Sequence, residues 1–187
     1  MKDTNLTPQY ASNIIETLTD FQLGAEKVYR FIGNPYVDGD NIAEHTARIV
    51  RLAIYTMPFL VEEFKNHPDI SHLAEDIYVT VLTHDDEEIA QGFDMVTFLK
   101  NHDSRNQEEI DSVKNKMSKM PAVSQDYVMK QFISFREQDT LVSQIAKILD
   151  HVAGNQTKME QKLGIVNPDG AKFTIEYVEK YKGVSKT

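Results

Sequence analysis

The chain reads as an all-α protein, and three observations predict it. Apolar residues recur at three- and four-residue spacing almost throughout its 187 residues, the pattern of helices with one buried face. No alternating apolar and polar run is bounded by hairpin turn residues. Turn and start signals, the loop GNPYVDGD at 33–40 and the prolines at 68 and 121, punctuate the periodic segments. At 41% hydrophobic residues, the chain can bury one core, and a single domain over residues 1–187 is the expectation.

The spacing predicts helices over 8–32, 41–57, 59–66, 69–85, 105–118, 122–136 and 139–160. Between the first two, GNPYVDGD holds Gly33, Pro35 and Gly39 and ends on Asp40, which reads as the N-cap of the second helix. Pro58 separates the second and third. Pro68 and Asp69 open the fourth, Pro121 opens the sixth, and Gly154 blurs the end of the seventh by a turn. Beyond Gly164, VNPDGAKFTIEYV is read as a short strand or turn, and KGVSKT as a frayed end.

Twenty basic against twenty-nine acidic side chains give a formal charge of −9. That balance argues against a nucleic-acid partner, because phosphate contacts need a basic stripe. No cysteine is present, which rules out disulfides, thiolate metal sites and a cysteine nucleophile. MKDTNLTPQY has no signal-peptide apolar run, and no eighteen uncharged apolar residues occur in sequence. A cytoplasmic protein without a membrane partner is the expectation.

Helical geometry sorts the six histidines. In DNIAEHTARIVRLA, His45 falls on the arc of Ile42, Ile49, Leu52 and Ala53. In DISHLAEDIYVTVLTHD, His84 shares the arc of Ile70, Leu73, Ile77 and Val81, while His72 turns away. In LVSQIAKILDHVAG, Val142, Ile145, Ala146, Leu149 and Val152 face inward with Asp150 at their flank, and His151 is carried to the polar side. His67, His72, His102 and His151 read as surface residues, and Tyr55, Phe59, Phe64 and Phe132 as core. Asp85 through Glu88 are four consecutive acids without a basic neighbour in sequence. At the C-terminal end of a helix such charge is unfavourable, so a cation should compensate. Three helices can thus deliver His45, the pair His84 and Asp85, and Asp150 to one interior point. Each alone reads as an ordinary core or solvated residue; the combination points further.

AEHT at 43–46, THDDEE at 83–88 and ILDHV at 148–152 together resemble the HD-domain metal-dependent phosphohydrolases. The similarity covers about residues 25–160, and its nearest branch looks like the bacterial 5'-deoxynucleotidases. The histidine motifs lie 39 residues apart, and Asp85 and Asp150 lie 65 apart. The resemblance implies an HD-type helical bundle with His45, His84, Asp85 and Asp150 as metal ligands. Taking LVSQIA instead of AKILD as the last motif would put Ala146 in the fourth place. Glu88, and second to it Asp94 in QGFD, would be the catalytic acids. Arg30 and Phe31 in YRF would meet the substrate, with Phe31 where that branch has tryptophan. A homodimer is also implied by resemblance.

Two imidazoles and two carboxylates suit one divalent manganese, cobalt, iron, zinc or magnesium ion better than calcium. Such an ion would offset the acids at 85–88 and activate a water for attack on phosphorus. The expected activity is release of the 5'-phosphate of a (deoxy)nucleoside monophosphate. Two alternatives stay open: a phosphodiesterase or nucleotide-polyphosphate hydrolase of the same fold, and a non-catalytic nucleotide-binding protein. Asp86 and Glu87 read as solvated or as outer partners of the site.

Overall fold

The computed structural model describes residues 6–30, 39–68, 70–94, 102–160, 175–176 and 178–185, with backbone alone at 102–106 and 158–160. Its helices are α1 (Pro8–Ala25), α2 (Ile42–Glu63), α3 (Leu73–Thr83), α4 (Asp86–Gln91), α5 (His102–Lys116), α6 (Ala122–Glu137) and α7 (Leu141–Glu160), with a 3-10 turn at Ile70–His72. Among the described residues there is no sheet, and Tyr29 and Asn41 form an isolated antiparallel bridge. The all-α expectation holds.

Helix α3 lies at the centre, packed against α2, α6 and α7. Its Leu73, Ile77 and Val81 meet Ile49, Ala53, Met57 and Leu60 of α2, Phe135 of α6, and Val142, Ile145, Ala146, Leu149 and Ala153 of α7. This core fixes the helices from which His45, His84 and Asp150 project. Two smaller clusters, around Ile42 and Ile89 and around Val113 and Phe132, attach α1, α4 and α5 to it.

Four predicted boundaries move, each for a local reason. Helix α1 stops at Ala25 rather than 32, because the backbone from 28 to 30 turns to a new partner: Ile42 N donates to Val28 O at 2.9 Å, and Arg30 N to Asp40 O at 2.9 Å. Asn41, not Asp40, caps α2, in a reciprocal box with Glu44. The predicted 41–57 and 59–66 helices are one, running through Pro58. Pro58 and its neighbour Phe59 face solvent, where water can satisfy the carbonyl that the proline leaves free. Met57 and Leu60 meanwhile continue the buried stripe in phase, and that burial outweighs the proline penalty of roughly 3 kcal/mol. The predicted 69–85 helix breaks into the 3-10 turn, α3, a junction at His84 and Asp85, and then α4, which ends on Gly92 at φ 82°.

Some inward and outward assignments also change. Tyr55 and Phe59 are 70% and 65% exposed, since the α2 stripe centres on Ile49, Ala53 and Met57 and leaves them opposite. Val152 is exposed and Ala153 takes its place, closer to the line through Val142 and Leu149. His67 and His151 are half-buried, and His72 is exposed; the His102 side chain lies outside the described residues. The described part of KGVSKT, through Ser185, is anchored rather than frayed: Val184 packs on the core and Ser185 Oγ donates to Glu63 at 2.7 Å. The stretch expected as strand or turn falls mostly outside the described residues, and its described part at 175–176 is helical.

Candidate metal centre

His45 stands one turn into α2, His84 closes α3, Asp85 leads into α4, and Asp150 projects from α7. Both histidines are buried, and Asp150 is only 9% exposed. One donor atom each from His45, His84 and Asp85 lies within 4.8 Å of the others. Asp150 Oδ1 reaches His45 Nε2 at 3.0 Å and His84 Nε2 at 3.7 Å. Asp85 Oδ2 lies 3.0 Å from His84 Nε2 and 4.0 Å from His45 Nε2. Ala146, the other candidate for the last position, is buried in the apolar core instead.

One contact among these is chemically unstable as it stands. His84 Nδ1 lies 2.9 Å from Val81 O, and a carbonyl can only accept, so Nδ1 carries the hydrogen. In the neutral ring Nε2 therefore carries a lone pair, and it lies beside the Asp85 carboxylate. The 3.0 Å separation is short enough for a hydrogen bond, yet neither atom makes one. Two electron-rich atoms are crowded together, and a proton or a metal ion shared by them relieves the crowding. Burial lowers the affinity of His84 for a proton, but the Asp85 charge outweighs it and raises the imidazole above its usual range. Burial and Arg30 hold His45 below that range against the pull of Asp150, which favours its neutral form. Asp85 and Asp150 are held below the ordinary carboxylate range despite burial, Asp85 chiefly by His84 and Asp150 chiefly by Lys147. The Nδ1 of His45 is buried without a hydrogen-bond partner among the described residues.

The profile of the HD-domain family matches residues 27–186, and the motif histidines and aspartates fall within that span. The chain belongs to the HD-domain family. Among solved structures, a conserved hypothetical protein from Pyrococcus furiosus is similar, with TM-score 0.59 and 16% identity over 90% of this chain and 99% of that one. That likeness concerns the fold. No functionally curated protein matches the chain. HD-domain proteins are typically metal-dependent hydrolases that bind divalent ions.

The residues of this HD-domain chain fit such an ion. Donors at about 2.0–2.2 Å from a metal lie roughly 3 Å apart when adjacent and about 4 Å apart when opposed; the four histidine–aspartate separations span 3.0 to 4.0 Å, and donors of His45, His84 and Asp85 all fall within 4.8 Å. Charge agrees. Asp85, Glu88, Asp94 and Asp150 all act on the Arg30 guanidinium, whose affinity for its proton they raise against the effect of burial. Lys147 is the second cation, paired to Asp150. Four carboxylates less two cations leave two negative charges, the complement of one divalent ion.

Arg30 reaches the centre from outside the helices, its Nη2 3.8 Å from Asp150 Oδ1. Its backbone is held by Asp40 O, and the Asp40 carboxylate accepts from Arg48 at 2.7 Å and from Thr157 at 3.2 Å. That network ties α2 to α7 beneath the arginine. The two chain segments pass so closely that a Cβ on Gly39 would lie 1.8 Å from Arg30 O. Glu88 is buried and Asp94 half-buried. Phe31 lies outside the described residues.

The acidic run is compensated differently from the sequence expectation. Asp85 is the N-cap of α4 and Asp86, Glu87 and Glu88 form its first turn, an end where the helix dipole favours negative charge. Glu87 also accepts from Arg136 at 3.1 Å, and Arg136 binds Glu109 as well. Asp86 and Glu87 are buried rather than solvated. Burial, with Glu87 adding to it, pushes the Asp86 carboxyl well above its usual range. Sequence reasoning missed Arg136, which acts across helices, and Lys147, which acts within α7. For Lys147 a signal existed: it precedes Asp150 by three residues, one turn of the same helix.

Proposed function

We propose that the protein is a divalent-metal phosphohydrolase that releases the 5'-phosphate of (deoxy)nucleoside monophosphates. The observation that carries this is the crowding of His84 Nε2 and Asp85 Oδ2 at 3.0 Å, with His45 and Asp150 donors beside it. An ion bound there would lower the pKa of a water from about 15.7 toward 7 and polarise a phosphoryl oxygen.

The side chains divide the remaining work. The Val81 carbonyl fixes the His84 ring through Nδ1, so that Nε2 is the nitrogen turned to the ion. Arg30, planar and charged, can take two phosphate oxygens at once and orient phosphorus toward the centre. Glu88, one turn beyond Asp85 on α4, orients the attacking water and takes its proton, with Asp94 as the second candidate. Burial of His45 and His84 keeps bulk water away and strengthens each of these interactions. Support for the monoester rather than another ester comes from the resemblance of YRF, AEHT and THDDEE to the deoxynucleotidase branch.

The test is phosphate release by metal-stripped protein given manganese or cobalt, over a panel of ribo- and deoxynucleoside mono-, di- and cyclic phosphates. Release from the 5'-monophosphates, abolished in His84→Ala and Asp85→Ala, is the expected result. Full turnover in either variant contradicts the reading, and preference for cyclic or polyphosphate substrates would move the activity to another ester.

A further inference from the structure

We propose that Lys147 is a positioning residue for the divalent-ion site, holding one oxygen of Asp150 so that the other alone is offered to the ion. The inference rests on the reading of His45, His84, Asp85 and Asp150 as ligands of one ion.

The two oxygens of Asp150 have separate neighbours. Oδ1 lies 3.0 and 3.7 Å from the two imidazoles. Oδ2 accepts from Lys147 Nζ at 2.9 Å, one helical turn earlier on α7. The ammonium is itself fixed, lying 4.7 Å from the centre of the Phe135 ring. Phe135 is a buried core residue, and its ring meets His84 in an edge-to-face contact at 5.4 Å. One aromatic ring therefore sets both an imidazole of the site and the lysine that steers the opposing carboxylate. Without that grip, only the contacts of Oδ1 with His45 and Arg30 restrain the carboxylate, and it can tilt Oδ1 off the ion or chelate with both oxygens. Ordering it in advance removes that cost from ion binding.

A positioning role and a plain charge effect have opposite signs. An ammonium close to a cation site repels the ion, so loss of the charge alone would tighten binding. Loss of the grip on Asp150 would weaken it.

The experiment is calorimetric titration of manganese into metal-stripped wild type, K147M and K147R, with circular dichroism to establish that each is folded. K147M is expected to bind roughly 10- to 100-fold more weakly, and K147R, which restores a donor to Oδ2, to recover most of the loss. Should K147M not fold, K147Q makes the same comparison. Binding by folded K147M that equals or exceeds wild type overturns the inference while leaving the metal reading intact, as does a K147R no better than K147M. Wild type that takes up no manganese defeats the metal reading itself, and the role of Lys147 with it.

Discussion

The hydrogen bond from His84 Nδ1 to Val81 O decides what the rest of the ring can do. It leaves Nε2 as a lone pair beside the Asp85 carboxylate, a place for a proton when the protein is metal-free and for an ion when it is not. The two compete, and the sign follows. The folded-state affinity of His84 for a proton is raised. In the metal-free protein its contribution to stability is thus full below about pH 6.5, the usual histidine value, and is lost as pH rises through the folded value. A divalent ion should therefore raise the melting temperature more at pH 8 than at pH 6, measured by thermal melts with and without manganese. Asp85→Asn, which weakens the ligand without changing its shape, should lower manganese affinity by more than the roughly 100-fold typical of outer partners. Asp86 has the same sign for a different reason, burial rather than a neighbouring charge. Its carboxyl is pushed well above the usual range, so its contribution is favourable near its unfolded value and lost as pH rises through the folded one. Asp86→Asn should raise the melting temperature at pH 8 and change it less at pH 5.

At the scale of elements, the site depends on where segments cross. The pairing of 28–30 with 40–42 brings Arg30 beside Asp150, and Gly39 permits it. Gly39→Ala should push Arg30 away and cut kcat/KM for a phosphate ester by up to about 100-fold, the scale of a 1 Å misplacement, while manganese affinity stays close to wild type. Pro58 within α2 makes a separate prediction: Pro58→Ala should stabilise the fold by roughly 1–3 kcal/mol, read from denaturant melts. The positions of His45 and His84 were legible in the sequence because both sit on arcs defined by three or four apolar residues, and tertiary packing kept those arcs. Asp150 was legible only as a flank residue, and its rival Ala146 differed by one turn. The junction at His84 and Asp85 was not legible, because a two-residue break between short helices leaves the 3.6-residue period almost undisturbed. Neither was the merger across Pro58, where a buried stripe overrides a local breaker. The Arg136 partner of Glu87 was out of reach for the same reason that Tyr55 and Phe59 were misassigned: periodicity gives a face, but not what lies opposite it.

For the molecule as a whole, the proposed ion would join α2, the α3–α4 junction and α7, three parts of the chain that meet around one core. Among the described residues no helix is long and apolar enough to cross a membrane. An ion that binds the folded chain alone stabilises it by about 2.7 kcal/mol at a free concentration one hundred times its dissociation constant. Chelation should remove that increment without unfolding the helices, since the apolar core that joins α3 to α2, α6 and α7 is made by residues other than the four ligands. The most direct measurement is anomalous diffraction from crystals grown with manganese. One peak per chain, within coordination distance of the Nε2 atoms of His45 and His84 and of the Asp85 and Asp150 carboxylates, is the predicted result. A map with no peak there, or with the ion bound elsewhere, would contradict the account.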